Sequence, residues 1–522
     1  MDKKNIIKHS IACFVIISFI VIFSLIGAFG TNFLRDFSAT YAGGYRIYLG
    51  QVPYKDFFIP VGPIVFYIQA LFNHIFGPNL IAMAMHVAFL SSILAIIFYF
   101  IIVKYFGNIF SIFMSIALYY SYYGVIALPW YNEMALFFFL LNILILIKYL
   151  DVKEAKTKIL VLSAILTILS FYSKQDTGLM QFGLLFLYFV YYYRKDFKKI
   201  LVQYVLPFLI LTSLIFVIFS SFSDFEHQFS LGQGGGLEQY PHSSIVYQIF
   251  SLYGLSVTLY SFNFYLLIFL LFLFFKEDNI KNKKIISILI IINSLFVITS
   301  VSSGMRNQMR IMALPIMLFL FYLLIKNKNI NYLDINKSFF ISKKMLTYII
   351  IFFVILMQFN YLEPFTFTRY SYFTTPIGQV YNILYSHNKI DQGCYKGASF
   401  FNIDIHAKDL KEIRNIIERN NKSFISLSEY NFLYCDYNVE PPKGLHLWFH
   451  EGSNLFDKDI PIIEKYITKN KPSVVLEEIY AAKDSKNKKI IIDTLLKLGY
   501  RKVYVAPAPS SDQLEITVYE LK

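Results

Sequence analysis

Charge is what this sequence has least of. Lys, Arg, Asp and Glu make up 16% of its 522 residues, against 56% hydrophobic residues and a mean hydropathy of +0.52. Soluble domains carry about 25% charge, so a soluble globular chain is excluded. Inside the long apolar runs charge is nearly absent. That argues against a transporter or lipid flippase, which sets ionisable groups and broken helices near the bilayer midplane. Cysteine is also scarce: of three, Cys13 lies in the first apolar run, and Cys394 and Cys435 lie in the C-terminal third. An oxidising compartment would permit a disulfide between the latter two, and the sequence leaves it open. No internal repeat, P-loop or dinucleotide fingerprint occurs. The "GQGGG" stretch at Gly232–Gly236 has no strand before it and no helix starting on it, so it reads as a flexible external loop, or as a lid over a lipid-facing cleft.

What fills the chain instead is apolar runs close to the ~18 residues that a spanning helix needs. They are Ile11–Gly30, Leu80–Val103, Ile109–Val125, Met134–Ile147, Ile159–Phe171, Leu179–Tyr193, Ile200–Ser220, Val257–Phe275, Ile285–Val301, Ile311–Ile325 and Leu346–Phe359. The first follows a basic segment, as a signal peptide would, but its length favours an uncleaved span. The reading is therefore a polytopic α-helical membrane protein with about eleven spans.

The formal net charge of +14 is explained by where the cations sit. With Lys3, Lys4 and Lys8 in the cytoplasm, every second loop is basic, as in Lys148–Lys158, Arg194–Lys199, Lys276–Lys284 and Lys326–Lys344. The opposite loops hold only Arg35, Arg46, Lys55, Lys174, Arg306 and Arg310. This is the positive-inside pattern, and it leaves no call for a nucleic-acid partner. The expected location is the plasma (inner) membrane, with the N-terminus cytoplasmic. An odd number of spans then exports everything after Asn360.

From about Glu363 charged residues return and short patterns alternate. "AKDLKEIRNIIERNNK", "DIPIIEKYITKNKP" and "NKKIIIDTLLKLGY" read as helices, and "SFISLS", "SVVLEE", "KVYVAP" and "LEITVYEL" as strands. The chain thus divides into a membrane module, 1–362, and a small extracytoplasmic α/β domain, 363–522. In that domain His446, His450 and Glu451 form H-x-x-x-H-E. On a helix such histidines can share a metal, but the preceding "PPKG" reads as loop.

The first external segment, 31–62, is long, polar and stiffened by Pro53, Pro60 and, just beyond it, Pro63, and a long ordered external loop is usually functional. Its "GQVPYKDFFIPVGP" stretch, with Phe76 and Gly77 further on, resembles the first loop of GT-C-fold, family-39-like bacterial membrane glycosyltransferases. That group includes protein mannosyltransferases and the lipid A aminoarabinose transferase. Gly50, Pro53, Tyr54, Asp56, Phe57, Gly62 and Pro63 match its pattern, and "SKQDTG" at Ser173–Gly178 is similar to a Lys-Gln segment of the same group.

The resemblance implies transfer of a hexose or pentose from a polyprenyl-phosphate donor to an envelope acceptor, a glycolipid, glycan or protein. The chemistry requires a carboxylate to take the acceptor's proton and cations to hold the phosphate. Asp36 matches the family's first-loop acid and is the candidate base. Relatives often carry two adjacent acids there, whereas here Phe37 follows. Asp56 is the candidate second carboxylate, or else a cap or ion-pair partner that fixes the loop. No cofactor is required, although a divalent cation is compatible. Lys174, Arg306 and Arg310 are candidate phosphate ligands; the two arginines, four apart, share a helical face. Their alternative role is interfacial snorkelling. Gln175, Asp176 and Glu133 are candidates for sugar or acceptor hydroxyls, or turn residues. Beyond the transporter, the rival readings are an envelope polysaccharide polymerase or ligase and a membrane scaffold.

Overall fold

The computed structural model describes residues 3–30, 34–123, 129–220, 262–303, 313–327, 383–384, 389–390, 392–396, 407–428, 430–449, 455, 457–479, 485–507 and 515–522. The chain opens with α1 (Lys3–Phe29), followed by α2 (Leu34–Tyr48), the two-residue β1 (Phe57–Phe58), α3 (Ile64–Phe76), α4 (Leu80–Phe106), α5 (Asn108–Tyr123), α6 (Tyr131–Lys148), α7 (Thr157–Phe171) and α8 (Gln175–Tyr192). Next come α9 (Phe197–Ile200), a π turn (Leu201–Val205) and α10 (Leu206–Ser220), which run on as one rod, then α11 (Phe262–Lys276), α12 (Ile280–Ser303) and α13 (Leu314–Asn327). Local chemistry sets the boundaries. The Asn79 side chain accepts the Ala82 N–H at 3.1 Å and starts α4, and Gly107, at φ 78°, ends it and lets α5 begin at once.

Among the described residues four helices are long and apolar enough to cross a membrane: Lys3–Phe29, Leu80–Phe106, Tyr131–Lys148 and the helical run Arg194–Phe219. Five shorter apolar helices accompany them, at Ile64–Phe76, Asn108–Ser121, Thr157–Phe171, Leu266–Lys276 and Leu314–Asn327. Most coincide with expected spans. The exception is α3, which follows the first loop and packs between α2 and α4. The expected span Leu346–Phe359 lies outside the described residues.

The C-terminal part contains α14 (Ala407–Arg419), β2 (Phe424–Leu427), α15 (Phe432–Asp436), β3 (Leu445–His446), α16 (Ile460–Asn470), β4 (Val474–Glu477), α17 (Lys486–Lys497), β5 (Tyr500–Ala506) and β6 (Ile516–Leu521). Four strands form a mixed sheet in the order β2-β4-β6-β5, with β2 and β4 parallel and the other pairings antiparallel. The helices bury apolar stripes against it, α14 through Leu410, Ile413 and Ile417, and α16 through Ile460, Ile463 and Ile467. A disulfide joins Cys394 and Cys435, the pairing the sequence left open.

The sheet unit is seated on the first loop. β1 pairs in parallel with β3, Phe57 opposite Leu445 and Phe58 opposite His446. The Gly444 N–H bonds the Asp56 carbonyl at 2.7 Å, and the Leu447 N–H bonds the Phe58 carbonyl at 3.0 Å. One hydrophobic cluster runs from Tyr41, Tyr45, Leu80 and Met83 to Phe424, Leu433, Val474 and Val518. Burying such side chains, at roughly 1.5–3 kcal/mol each, makes the contact a packed interface.

Candidate active site

The first loop is held from within by its aromatics. Tyr54 takes a left-handed backbone (φ 65°), donates its N–H to the Phe57 carbonyl at 2.8 Å, and donates its phenol hydroxyl to the Val61 carbonyl at 2.6 Å. Both bonds stabilise a conformation that is costly for a residue with a Cβ. The Asp56 carboxylate accepts the Val52 N–H at 2.8 Å and closes the Val52–Asp56 turn.

The loop then runs against the start of α8. Gln175 donates from Nε2 to the Pro60 carbonyl at 3.2 Å, and the Ile64 N–H reaches the Tyr172 carbonyl at 3.2 Å. Gly62 makes this approach feasible, since a Cβ there would lie 1.9 Å from the Tyr172 oxygen. The two stretches that carry the family resemblance, more than 100 residues apart in the chain, are therefore neighbours.

At that junction Lys174, Gln175 and Asp176 are buried. Lys174 Nζ pairs with Asp176 Oδ2 at 3.2 Å, and Asp176 Oδ1 accepts the Thr177 N–H at 2.6 Å. Glu133, buried in the first turn of α6, lies within electrostatic reach of the same ammonium. The cation thus pairs with one carboxylate and acts on a second at longer range, both at the starts of helices. Of the eight residues singled out from sequence, the structure brings together Glu133, Lys174, Gln175 and Asp176, with Asp56 in the adjoining loop.

Asp36 falls in the first turn of α2; its side chain lies outside the described residues, as do Arg306 and Arg310. Among the described residues no three His, Cys, Asp or Glu side chains converge as metal ligands. His446 stands in a strand rather than on a helix, with Nε2 3.5 Å from Asp459 Oδ2 and its ring against Phe58. His450 and Glu451 lie outside the described residues.

Arg46 is the residue that the sequence reading passed over as one external cation among six. It is 1% exposed, near the end of α2, and donates from Nη1 to the Pro442 carbonyl at 2.7 Å and to Gln51 Oε1 at 3.2 Å. Burial pulls its guanidinium down to about 10, so it remains a cation at neutral pH. The one available signal was an arginine embedded in the apolar "GGYRIYLG".

Residues 60–222 match the dolichyl-phosphate-mannose-protein mannosyltransferase family. No curated protein matches the sequence. Among solved structures, the chain resembles ArnT from Cupriavidus metallidurans in the apo state, with 10% identity, 97% of each chain covered and a TM-score of 0.50. ArnT from the same organism bound to undecaprenyl phosphate gives 10% identity, 97% of each chain and a TM-score of 0.48. At such identity the likeness to the apo structure is one of fold. The family match over 60–222 takes in both the end of the first loop and the Lys174–Gly178 turn, so the matched stretch and the shared fold coincide with the residues that meet at this junction.

Proposed function

We propose that this protein moves a sugar from a polyprenyl-phosphate donor to a cell-envelope acceptor on the extracytoplasmic face of the membrane. The observation that carries the reading is the junction of the Pro60–Ile64 loop with the Lys174–Asp176 turn. There a buried cation and carboxylates gather beside the loop that follows α2. The family name supports the donor class, and chemistry supports it independently: nucleotide sugars are not available outside the cytoplasm, so the sugar arrives on a lipid phosphate.

In this reading Asp36 takes the proton of the acceptor hydroxyl as its oxygen attacks the anomeric carbon and the bond to the lipid phosphate breaks. Lys174, joined by Arg306 and Arg310, stabilises the charge on the departing phosphate. Its pairing with Asp176 holds the ammonium in place before the donor arrives. Glu133, Gln175 and Asp176 orient hydroxyls of the sugar or acceptor, and Asp56 shapes the loop. The topology that goes with this has about eleven spans, a cytoplasmic N-terminus, and residues 363–522 as an extracytoplasmic domain.

The test is turnover of radiolabelled polyprenyl-phosphate sugars, hexoses and pentoses at two lipid lengths, by the purified protein in nanodiscs with an envelope extract. Label moving from lipid to an acceptor is the expected result. Donors left intact throughout, with labelled lipid instead crossing the bilayer, would replace this reading with lipid transport.

A further inference from the structure

The Arg46 side chain is chemically out of place for a stabilising core residue. Taking a guanidinium out of water costs several kcal/mol, and a buried cation is normally compensated by a carboxylate. Among the described ion pairs none involves Arg46; its hydrogen-bond acceptors are the neutral Pro442 carbonyl and Gln51 Oε1, with Phe57 lying 5.5 Å from the guanidinium carbon. Gln51 in turn donates from Nε2 to the Pro441 carbonyl at 2.8 Å. The α2 end and its following turn therefore grip two successive carbonyls of a Pro-Pro step, whose fixed φ makes it a rigid acceptor.

The grip has directional consequences. Pro441 and Pro442 begin the strap that continues into the Gly444–Asp56 bond and the β1–β3 pairing. The bond from Arg46 to the Pro442 carbonyl forms only when that strap is seated. It lies ten residues after Asp36 in the same helix, about 15 Å along the axis. A rigid helix gripped at one end by the C-terminal unit presents its other end in a fixed place.

We propose that Arg46 is a positioning residue through which the docked C-terminal unit sets the orientation of α2 and hence of Asp36. This rests on the transferase reading above. The C-terminal unit is then part of what makes the site competent, not a separate module carried beside it.

The experiment compares full-length wild type, Arg46→Gln and Arg46→Lys in nanodiscs by hydrogen exchange and by donor turnover. In Arg46→Gln, exchange of amides 41–58 and 443–447 rises about tenfold, while β4, Val474–Glu477, stays protected. The catalytic rate falls by about 100-fold, the scale of a misplaced reacting group, with donor KM within about twofold of wild type. Arg46→Lys, which keeps a donor for the Pro442 carbonyl, recovers part of the rate. Should Arg46→Gln fail to fold, Gln51→Ala removes the Pro441 bond while leaving Arg46 its Pro442 acceptor and shifts both readouts in the same direction. Unchanged exchange overturns the grip, and raised exchange with an unchanged rate overturns its positioning role. A wild type that transfers no sugar defeats the transferase reading separately, and with it the catalytic meaning of any exchange change.

Discussion

Lys174 shows how a residue can be structural and chemical at once. Its ammonium pairs with Asp176 inside the protein, where breaking a buried ion pair by removing one partner costs about 3–5 kcal/mol. Lys174→Ala is therefore expected to lower the melting temperature by stranding the Asp176 carboxylate. A double change, Lys174→Met with Asp176→Asn, removes both charges and is expected to restore most of the melting temperature while the donor KM remains well above the wild-type value. Wild-type donor KM in that double variant would assign Lys174 to structure alone. At this scale the sequence was informative where the chemistry is unusual. A lysine beside glutamine and aspartate at the end of an apolar run stands out, whereas Arg46 did not, because burial depends on a Pro-Pro step nearly 400 residues away.

At the scale of elements, most of the described apolar helices were legible because long apolar runs have few alternatives, and most sheet segments because their short alternating patterns are bounded by turns. α3 was not, because its thirteen residues directly follow the proline-stiffened loop motif and read as part of it. β1 and β3 were not either, since two residues carry no period and their partners lie far apart in the chain. The crossing of the Pro60–Ile64 loop over Tyr172 gives a sharp test. A methyl at Gly62 meets a backbone oxygen that cannot rotate away, and overpacking of this kind costs about 1–3 kcal/mol. Gly62→Ala should depress both melting temperature and turnover. Gly183→Ala, where a Cβ meets nothing within 4 Å, should leave both near wild type. If the two substitutions behave alike, the close approach of loop and helix is wrong.

For the whole molecule, the C-terminal sheet unit and the first loop share one core, so their stabilities are coupled. The Cys394–Cys435 disulfide lies in that shared region, where Tyr395 packs edge-on against Tyr41 of α2 at 4.9 Å between ring centroids. Loss of a native disulfide typically costs about 2–5 kcal/mol. Cys394→Ser with Cys435→Ser should therefore lower the melting temperature and also raise proteolysis within α2. Cleavage confined to the C-terminal unit would show that the two parts unfold independently. Most of the helices and strands of this unit were legible in the sequence from their short alternating patterns. That the unit rests on the first loop was not legible, because the contact is built from carbonyls and two-residue strands that have no signature in the chain.

The central claim is that a carboxylate at the start of α2 drives sugar transfer from a lipid phosphate. Its most direct test compares wild type with Asp36→Asn, matched for expression, membrane insertion and melting temperature, on radiolabelled polyprenyl-phosphate sugar. Asparagine keeps the shape of the side chain and removes the base, and general-base contributions are typically 10²–10⁴-fold. We expect transfer to fall by at least about 100-fold with donor binding retained. Transfer within a fewfold of wild type would remove Asp36 from the mechanism and contradict the account.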